Sequence, residues 1–312
     1  MKCLDSKRAI LYVAVFLGAL LLALGGASAE GLAMNQPSQP QEQPAAAAAS
    51  PSPHVWIGPE GQALPFKSDE EIVEFLRAAK VKKYKELGQG ITRPIKAMLE
   101  KDGVRANAHF QSINMDKPGK TELASGKVEF GFRDSYLFDL AAYELNKMLG
   151  LNTIPPMVER KLDGKSGRFQ IWVEGVTTRE DMRAKNIEPA DQRYWNEQMY
   201  RIHVFDALVE NTDPNLGNFL IDKDGRVWTI DYSRAFRRDA HIAELDNLQH
   251  CERGLLEKLR TLDEGAVRTQ LKSYLRGGEI DAMLKRRQEL VAHFDKLVQE
   301  RGEGAVLYVL NQ

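Results

Sequence analysis

The sequence predicts an α+β protein with two lobes: a small β-rich lobe that contains one main helix, followed by a mainly helical lobe. Three observations lead to this prediction. Short β-prone runs crowd the first half of the chain, at 95–99, 106–113, 127–132 and 168–174. Residues 135–149 have the apolar spacing of one well-buried helix. From residue 191 onward helical spacing dominates, and 280–301 is the longest amphipathic stretch.

The N-terminus has the features of a signal sequence. Three basic residues among the first eight precede a continuously apolar run at 9–26, and Ala-Ser-Ala at 27–29 matches a small-x-small cleavage site. The apolar run is also long enough to span a membrane marginally, so an uncleaved anchor is the alternative. In both interpretations the basic end stays inside and the rest of the chain is exported. We therefore assign 1–29 as a signal peptide or membrane anchor, and expect membrane association only through an uncleaved segment.

A linker follows the signal sequence. Residues 30–53 contain five prolines, several glutamines and an alanine run, and such a composition cannot build a core. The predicted folded part therefore begins near residue 54. We divide it into a small N-terminal lobe, 54–180, and a helical C-terminal lobe, 181–312.

The small lobe begins with a predicted helix over 69–81, for which Ser68 is a suitable N-cap. The sequence LGQGITRP follows. Its glycines, Gly88 and Gly90, would let the backbone approach phosphate groups. The third glycine of that phosphate-binding pattern is missing because Arg93 stands in its place, and a plain turn is the alternative.

The main helix of the small lobe covers 135–149, and Gly150 ends it. Its apolar residues share one face, and Asp139 lies on the opposite side. This helix is the most regular element that the sequence predicts before residue 191.

The stretch 205–236 contains the strongest functional signal. Asp213 is followed five residues later by Asn218, and Asp231 closes the set. This step matches the catalytic loop of kinases, in which the aspartate accepts the substrate hydroxyl proton and the asparagine holds a metal ion. Asp231 then takes the place of the metal-binding aspartate. Two alternatives stay open: an ordinary surface hairpin, and a calcium loop, in which Leu216 stands where glycine is needed.

A β-hairpin is predicted between Asn218 and Asp231. Two β-prone runs flank Asp224-Gly225, a dipeptide that favours a two-residue turn. Counting outward from that turn places Asn218 directly opposite Asp231, with Cβ atoms about 4.5–5.5 Å apart. An amide oxygen and a carboxylate at that distance can share one Mg²⁺.

The charge pattern excludes one class of partner. The net charge is −1 over 312 residues, which gives no indication of a nucleic-acid-binding surface. The basic run at 285–287 lies within the longest predicted helix. Such a run is typical of a solvated helix face rather than of a binding site.

Two segments together resemble the secretory-pathway Golgi casein kinases, and similar segments occur in HipA-type kinases and, more distantly, in phosphoinositide kinases. DLAAYELNKMLGLNTIPPMVER (139–160) resembles their helix and crossover, and FDALVENTDPNLGN with WTIDYSRAF resembles their catalytic loop and metal-binding segment. The resemblance implies a two-lobed kinase-like fold with ATP and Mg²⁺ or Mn²⁺ between the lobes. It implies Asp213 as the catalytic base, Asn218 and Asp231 as metal-binding positions, and Asp139 as the acid that pairs with an ATP-binding lysine.

The sequence departs from this family at two positions. The family's arginine after the catalytic aspartate is Pro214 here, and the lysine position aligns with Gln111 in ANAHFQSIN. Glutamine keeps a donor but loses the charge. We therefore expect a hydrogen bond between Gln111 and Asp139 in place of an ion pair, and weaker ATP binding. Lys96 and Lys101 are other candidates for the missing cation.

The sequence thus favours an exported, atypical kinase-like protein, in a periplasm, a secretory lumen or outside the cell. It would transfer a phosphoryl group from ATP to a hydroxyl acceptor on an unknown protein, sugar or lipid. A pseudokinase that binds nucleotide with weak or no catalysis is the first alternative, and Gln111 and Pro214 favour it. A secreted scaffolding domain, in which the Asp–Asn–Asp set is incidental, is the second.

Overall fold

The computed structural model describes residues 54–88, 94–122, 126 and 128–310. The predicted signal sequence and linker lie outside the described residues, and so does Gly90. None of the helices within the described ranges combines the length and the apolar composition needed to cross a membrane.

The described elements fall into a β-rich first part and a helical second part. The first part contains, in chain order, α1 (Asp69–Ala78), β1 (Lys80–Glu86), β2 (Ile95–Lys101), β3 (Val104–Gln111), β4 (Asn114–Glu122), β5 (Val128–Ser135), α2 (Tyr136–Met148), β6 (Met157–Leu162), β7 (Lys165–Ile171), β8 (Thr177–Thr178) and α3 (Arg179–Ala184). The second part contains α4 (Gln192–Val209), β9 (Phe219–Ile221), β10 (Val227–Thr229), β11 (Cys251–Glu252), α5 (Arg253–Thr261), α6 (Glu264–Leu271), α7 (Gly277–Arg301), α8 (Glu303–Val306) and β12 (Leu307–Tyr308). The predicted α+β fold class is confirmed.

Five strands of the first part form one antiparallel sheet in the order β1-β2-β3-β7-β6. Successive residues of a strand point to opposite faces of the sheet. One face is apolar and packs with α1 in a common core that includes Leu76, Leu99, Phe110 and Phe169. The other face is polar and carries, on β2, β3 and β7, Lys96, His109, Gln111, Arg168 and Gln170.

Helix α1 is shorter than predicted. Ser68 caps it as expected, with its hydroxyl accepting from the Glu71 N–H at 3.4 Å. The helix ends at Ala78, because Ala79 is extended (φ −67°, ψ 144°) and the chain continues directly into β1. The helix predicted over 69–81 therefore included Lys80 and Val81, which belong to the edge strand β1.

Helix α2 confirms the predicted main helix. The Ser135 hydroxyl accepts from the Leu137 N–H at 3.2 Å, and Gly150, with φ 68°, follows its end in the left-handed conformation that favours glycine. Its apolar side chains share one hydrophobic core with α4, α5, α6 and α7. Asp139, on the other side, is buried as well. Both faces of α2 are therefore covered, one by the helical part and one by the polar face of the sheet.

The basic run at 285–287 is not the solvated helix face that we predicted. Arg286 is 0% exposed. It donates from Nε to the Leu208 carbonyl oxygen at 2.9 Å and from Nη1 to Glu210 at 3.1 Å. Arg287 also donates to a backbone carbonyl oxygen, at 2.7 Å. Because a buried guanidinium is tolerated only when it is paired, Arg286 ties α7 to the end of α4, and Arg287 ties it to the residue after α5.

Candidate active site

The loop after α4 brings Asp213 and Asn218 together. Glu210 follows the helix with a left-handed φ of 49° and turns the chain into the loop. The Asp213 N–H donates to Asn211 Oδ1 at 3.2 Å, and the Asp213 carbonyl oxygen accepts from Asn218 Nδ2 at 3.4 Å. The Asp213 side chain itself stays 47% exposed. The loop is thus held by its own polar groups, while the carboxylate stays open to an incoming molecule.

The arginine expected beside Asp213 comes from another part of the chain. Pro214 occupies the position at which the resembled family has arginine. Arg234 takes up the contact instead, with Nη1 3.3 Å from Asp213 Oδ2. The Arg234 guanidinium also lies 5.4 Å from the ring centroid of Phe132, a cation–π distance. The Asp213 carboxylate is therefore oriented by a cation that the spacing of the catalytic loop does not predict.

The predicted hairpin between Asn218 and Asp231 forms, but its register differs by one residue. β9 and β10 pair antiparallel with Thr229 opposite Phe219. The Ile230 N–H donates to the Asn218 carbonyl oxygen at 3.1 Å. Asn218 therefore lies opposite Ile230, and our prediction that it lies directly opposite Asp231 is wrong.

Asp222 accounts for the changed register. Its Oδ1 accepts from the N–H groups of Asp224 and Arg226 at 2.9 and 3.0 Å, and its carbonyl oxygen accepts from the Gly225 N–H at 3.0 Å. The turn consequently comprises residues 223–225, with Gly225 left-handed at φ 77°. This is the three-residue hairpin loop that places glycine in that conformation. One additional loop residue moves every cross-strand partner by one position.

Asp231 follows β10 in a left-handed conformation, with φ 60°. Aspartate tolerates this conformation better than most residues other than glycine, and Asp102 and Asp163 adopt it as well. Its Oδ1 accepts from the Ser233 N–H at 3.4 Å. Burial, and after it the charge of Asp231, raises the pKa of Asp134. The turn at Asp231 thus brings its carboxylate within electrostatic reach of the residues that begin α2, despite the changed register.

Asp139 connects α2 to the segment that carries Asp231. Its side chain is 0% exposed, and Arg168 Nε lies 2.7 Å from Oδ2. The Tyr232 N–H donates to Oδ1 at 2.7 Å. Burial raises the pKa of this carboxyl to about 6, with Arg168 opposing the rise and Asp231 adding to it. At neutral pH the carboxyl is therefore ionised and matched by a cation.

Arg168 on β7, and not Gln111, supplies the charge opposite Asp139. Arg168 is 1% exposed. Its Nη2 donates to Gln111 Oε1 at 2.9 Å, and its Nη1 lies 3.0 Å from His109 Nδ1 and donates to Gln170 Oε1 at 3.1 Å. Our expectation that the ion pair is replaced by a hydrogen bond is wrong. The ion pair is present, and an arginine from the neighbouring strand makes it.

The other two candidate cations have partners elsewhere. Lys96 Nζ lies 3.4 Å from Glu174 Oε1 and 3.9 Å from the ring centroid of Trp172, just beyond the end of β7. Lys101 pairs with Asp102 at 3.2 Å. Neither lysine therefore takes the place of the missing one beside Asp139.

Gly88 lies exposed just after β1. A Cβ atom added at this position would meet no atom within 4 Å. The described neighbours of Gly88 therefore do not themselves require glycine, and its proposed role rests on the approach of a nucleotide. Gly90, the second glycine of the predicted pair, belongs to the undescribed residues.

Asn218 and Asp231 remain the candidate metal ligands. Across the described part of the chain, no three or more His, Cys, Asp or Glu side chains form a group that could hold a metal ion. Mg²⁺ is usually bound by one or two carboxylates together with substrate phosphates. One carboxylate and one amide oxygen are too few to hold a structural metal, so a metal at these residues would depend on the phosphates of a nucleotide for its other ligands.

Comparisons with known proteins identify the fold. No family model and no curated protein matches the sequence. The structure of hydra Fam20 with sugar is similar, with a TM-score of 0.56 and 14% identity over 78% of this chain and 94% of that chain. The Golgi casein kinase is similar both alone (13% identity) and with Mn/ADP bound (14%), each with a TM-score of 0.56 over 78% of this chain and 80% of that chain. At these identities the likeness concerns the fold alone, and the chain has a Fam20-like atypical kinase fold.

Proposed function

We propose that this protein is an exported kinase-like phosphotransferase that moves the γ-phosphoryl group of ATP to a hydroxyl acceptor with Mg²⁺ or Mn²⁺. The observation that carries the proposal is the 2.7 Å hydrogen bond from the Tyr232 N–H to Asp139. It joins the buried acid of α2 to the segment of Asp231, so both halves of the site are held in one arrangement. Burying a carboxylate is unfavourable unless it is paired, and the partners of Asp139 come from the small-lobe sheet and from the Asp231 segment.

Asp213 is the proposed catalytic base. Its carboxylate is 47% exposed, so an acceptor hydroxyl can reach it, and Arg234 at 3.3 Å orients it. In this role Asp213 positions the hydroxyl and takes its proton as the phosphoryl group transfers. The contribution of the protein is then mainly positioning and electrostatics, as in other phosphoryl-transfer enzymes.

Asn218 and Asp231 are the proposed metal ligands. When bound, the ion supplies positive charge to the phosphate oxygens of the nucleotide. Asp231 supplies the negative oxygen that a hard divalent cation prefers, and Asn218 a neutral one.

Arg168 is proposed to position α2 rather than to contact phosphate. It is 1% exposed, forms an ion pair with Asp139, and uses its Nη donors on side chains of the sheet, among them Gln111. It therefore holds the acid of α2 against the Asp231 segment. We propose that ATP lies between the lobes 54–180 and 181–312, with Gly88, Gly90, Gln111 and Asp139 on its side of the small lobe.

The similar structures support parts of this proposal. The Golgi casein kinase with Mn/ADP bound supports the use of nucleotide and divalent metal. The hydra Fam20 structure contains a sugar, and the acceptors proposed for this protein are hydroxyl groups of a sugar, a protein or a lipid. Export is supported by the predicted signal sequence and agrees with the Golgi location in the name of the second structure.

A pseudokinase is the second candidate, and the burial of Arg168 favours it. A lysine at the position of Gln111 would bring a flexible ammonium group to the phosphates. Arg168 is instead 1% exposed and held by the side chains around it. Pro214 favours the same candidate. Such a protein would keep metal-dependent nucleotide binding and transfer no phosphate.

Calorimetric titration of ADP into the purified protein, with and without Mn²⁺, tests the proposed metal site. We expect Mn²⁺-dependent binding by the wild type and its loss in Asp231→Asn, because a neutral amide cannot offset the charge of the ion. Asp224→Asn is the matched control, since Asp224 lies in the same hairpin with its side chain 69% exposed. Equal ADP affinity in the wild type and Asp231→Asn would show that Asp231 is not a metal ligand.

A further inference from the structure

A cavity beside the catalytic loop is not used by the proposed reaction. Its volume is about 350 Å³, within the roughly 300–1,000 Å³ of small-molecule sites. It lies between the β4–β5 pair, the first residues of α2 and α7, and the segment after Asp231. Four of its lining residues are arginines: Arg133, Arg237, Arg238 and Arg276.

Four carboxylates also line the cavity, and two of them are bound by its own arginines. Glu279 forms a buried ion pair with Arg133 and accepts from the Arg276 N–H at 2.8 Å. Asp116 is bound by the guanidinium of Arg276. Neither carboxylate is therefore a free negative charge facing the cavity.

The other two carboxylates are engaged from outside the cavity. Glu210 pairs with Arg286 Nη1 at 3.1 Å, and Asp239 Oδ1 accepts from the His241 N–H at 3.0 Å. Among the described residues, Arg238 by contrast makes no hydrogen bond and no ion pair, and its side chain is exposed. Arg238 is therefore the arginine of this cavity that is open to a ligand, while the Asp239 carboxylate is engaged, among the residues that the structure describes, only by a backbone N–H.

The walls of the cavity are fixed before any ligand arrives. The fully buried Arg286 donates from Nη1 to the Arg237 carbonyl oxygen at 3.1 Å, and also to the carbonyl oxygen of Asp239. The segment that carries Arg238 is thus tied to α7 on both sides of that residue. A site that is already ordered loses less conformational entropy on binding.

The start of α7 lies against Arg238, and its own partial charge is offset by Glu279, whose side chain accepts from the Arg276 N–H at 2.8 Å. The helix is 25 residues long and begins at Gly277, and its N-terminal end carries a partial positive charge. A Cβ atom on Gly278 would lie 4.0 Å from Arg238 Nε, so Arg238 lies against the first turn. Arg238 is therefore the positive group that the start of α7 places at the cavity.

We propose that this cavity binds a small anionic ligand, and that a phosphomonoester dianion is the group that fits it best. The planar guanidinium offers paired donors that match phosphate oxygens. Arg238 is the main contact, since the guanidinium of Arg276 is already bound to Asp116. Phe130, which lines the cavity and is 79% exposed, offers an apolar face to the remainder of the ligand.

This site requires neither nucleotide nor metal, so it goes beyond the proposed reaction. It is nevertheless close to the proposed base. Thr212, which precedes Asp213 in the chain, lines the cavity and lies 3.3 Å through its Oγ1 from Arg237 Nη2. A ligand in the cavity is therefore held beside the catalytic loop.

Calorimetric titration of inorganic phosphate and of phenyl phosphate, in low salt without nucleotide or metal, tests this proposal on the full chain. We expect the wild type to bind both and to bind phenyl phosphate more tightly, since its ring can pack on Phe130. Arg238→Gln should lower both affinities by about tenfold or more, the effect of losing a hydrogen bond to a charged group. Arg193→Gln is the control, because Arg193 is an arginine of α4 with a side chain 69% exposed.

Two results would overturn the proposal: no phosphate binding by the wild type, or equal binding by the wild type and Arg238→Gln. Loss of phosphate binding in Asp231→Asn would also overturn it, since the anion would then occupy the nucleotide site. Mn²⁺-dependent ADP binding should be unchanged in Arg238→Gln. The proposal of an anion site and the proposal of a kinase site can therefore be refuted independently of each other.

Discussion

Replacing Arg168 by Met should destabilise the protein by about 3–5 kcal/mol, the usual loss when one partner of a buried ion pair is removed. Arg168 and Asp139 have side chains 1% and 0% exposed and lie 2.7 Å apart. Met fills most of the same space, so the apolar contacts change little. The loss arises because Asp139 remains buried without its cation, and because the side chains around Arg168 lose a donor.

The destabilisation should depend on pH. Burial already raises the pKa of Asp139 from 3.8 to about 6 while Arg168 opposes the rise, so removing Arg168 raises it further. The folded variant then keeps a proton that the unfolded chain releases near its ordinary pKa. Because the folded state binds more protons than the unfolded state, the free energy of unfolding falls as pH rises through this window. The substitution Arg168→Met should therefore lower the free energy of unfolding less at pH 5 than at pH 8.

Urea unfolding of the wild type and the variant at both pH values measures these differences. Arg268→Met is the matched control, because Arg268 and Asp281 also lie 2.7 Å apart but have side chains 47% and 54% exposed. Removing that exposed pair should cost no more than about 1 kcal/mol. A loss for Arg168→Met as small as that of the control, or one equal at pH 5 and pH 8, would refute the reasoning.

Three further predictions concern stability. Gly167→Ala should lose about 1–3 kcal/mol in urea unfolding, because its Cβ would overlap the Gln111 carbonyl oxygen, whereas Gly277→Ala, with no atom within 4 Å, should not. Gln111→Lys should lower the melting temperature, because it places a second cation against Arg168 Nη2, now 2.9 Å from Gln111 Oε1; an unchanged value would contradict this. Burial raises the pKa of Asp206 to about 7, so Asp206, together with Asp139 at lower pH, should make wild-type stability fall as pH rises from about 4 to 7. Asp206→Asn should flatten that dependence, and an identical pH profile would exclude Asp206 as its source.

The positions of the candidate site could be predicted where chain spacing alone determines them. Asp213 and Asn218 lie in one short loop, so they meet whatever surrounds them. Asp139 could be placed because α2 has an unbroken helical pattern with a cap at Ser135. These are local features, and their geometry follows from a few consecutive residues.

The register of the hairpin could not be predicted from Asp224-Gly225. That dipeptide suits both a two-residue and a three-residue loop. Asp222 decides between them, because its carboxylate accepts from two N–H groups of the longer loop. A side chain that hydrogen-bonds to the backbone outweighs the turn preference of the dipeptide, and a pattern of residue types does not contain that choice.

Arg168 could not be identified as the partner of Asp139 for a different reason. It is 57 residues from Gln111 in the chain and becomes its neighbour only because β7 inserts beside β3 in the sheet. One signal was available, an arginine at the start of the apolar strand FQIWVE. A charged residue that enters a buried strand requires a buried partner, and the uncompensated acid on α2 was the candidate.

Transfer of labelled γ-phosphate from ATP tests the proposed function most directly. The assay compares the wild type with Asp213→Asn in the presence of Mn²⁺, with water and the protein's own hydroxyl groups as acceptors. We predict transfer by the wild type and a rate lower by about 10²–10⁴ in Asp213→Asn, the usual effect of losing a general base, with nucleotide affinity unchanged. No transfer by a wild type that binds Mn²⁺ and ADP would contradict catalysis and leave the pseudokinase. Equal transfer by both proteins would show that Asp213 is not the base.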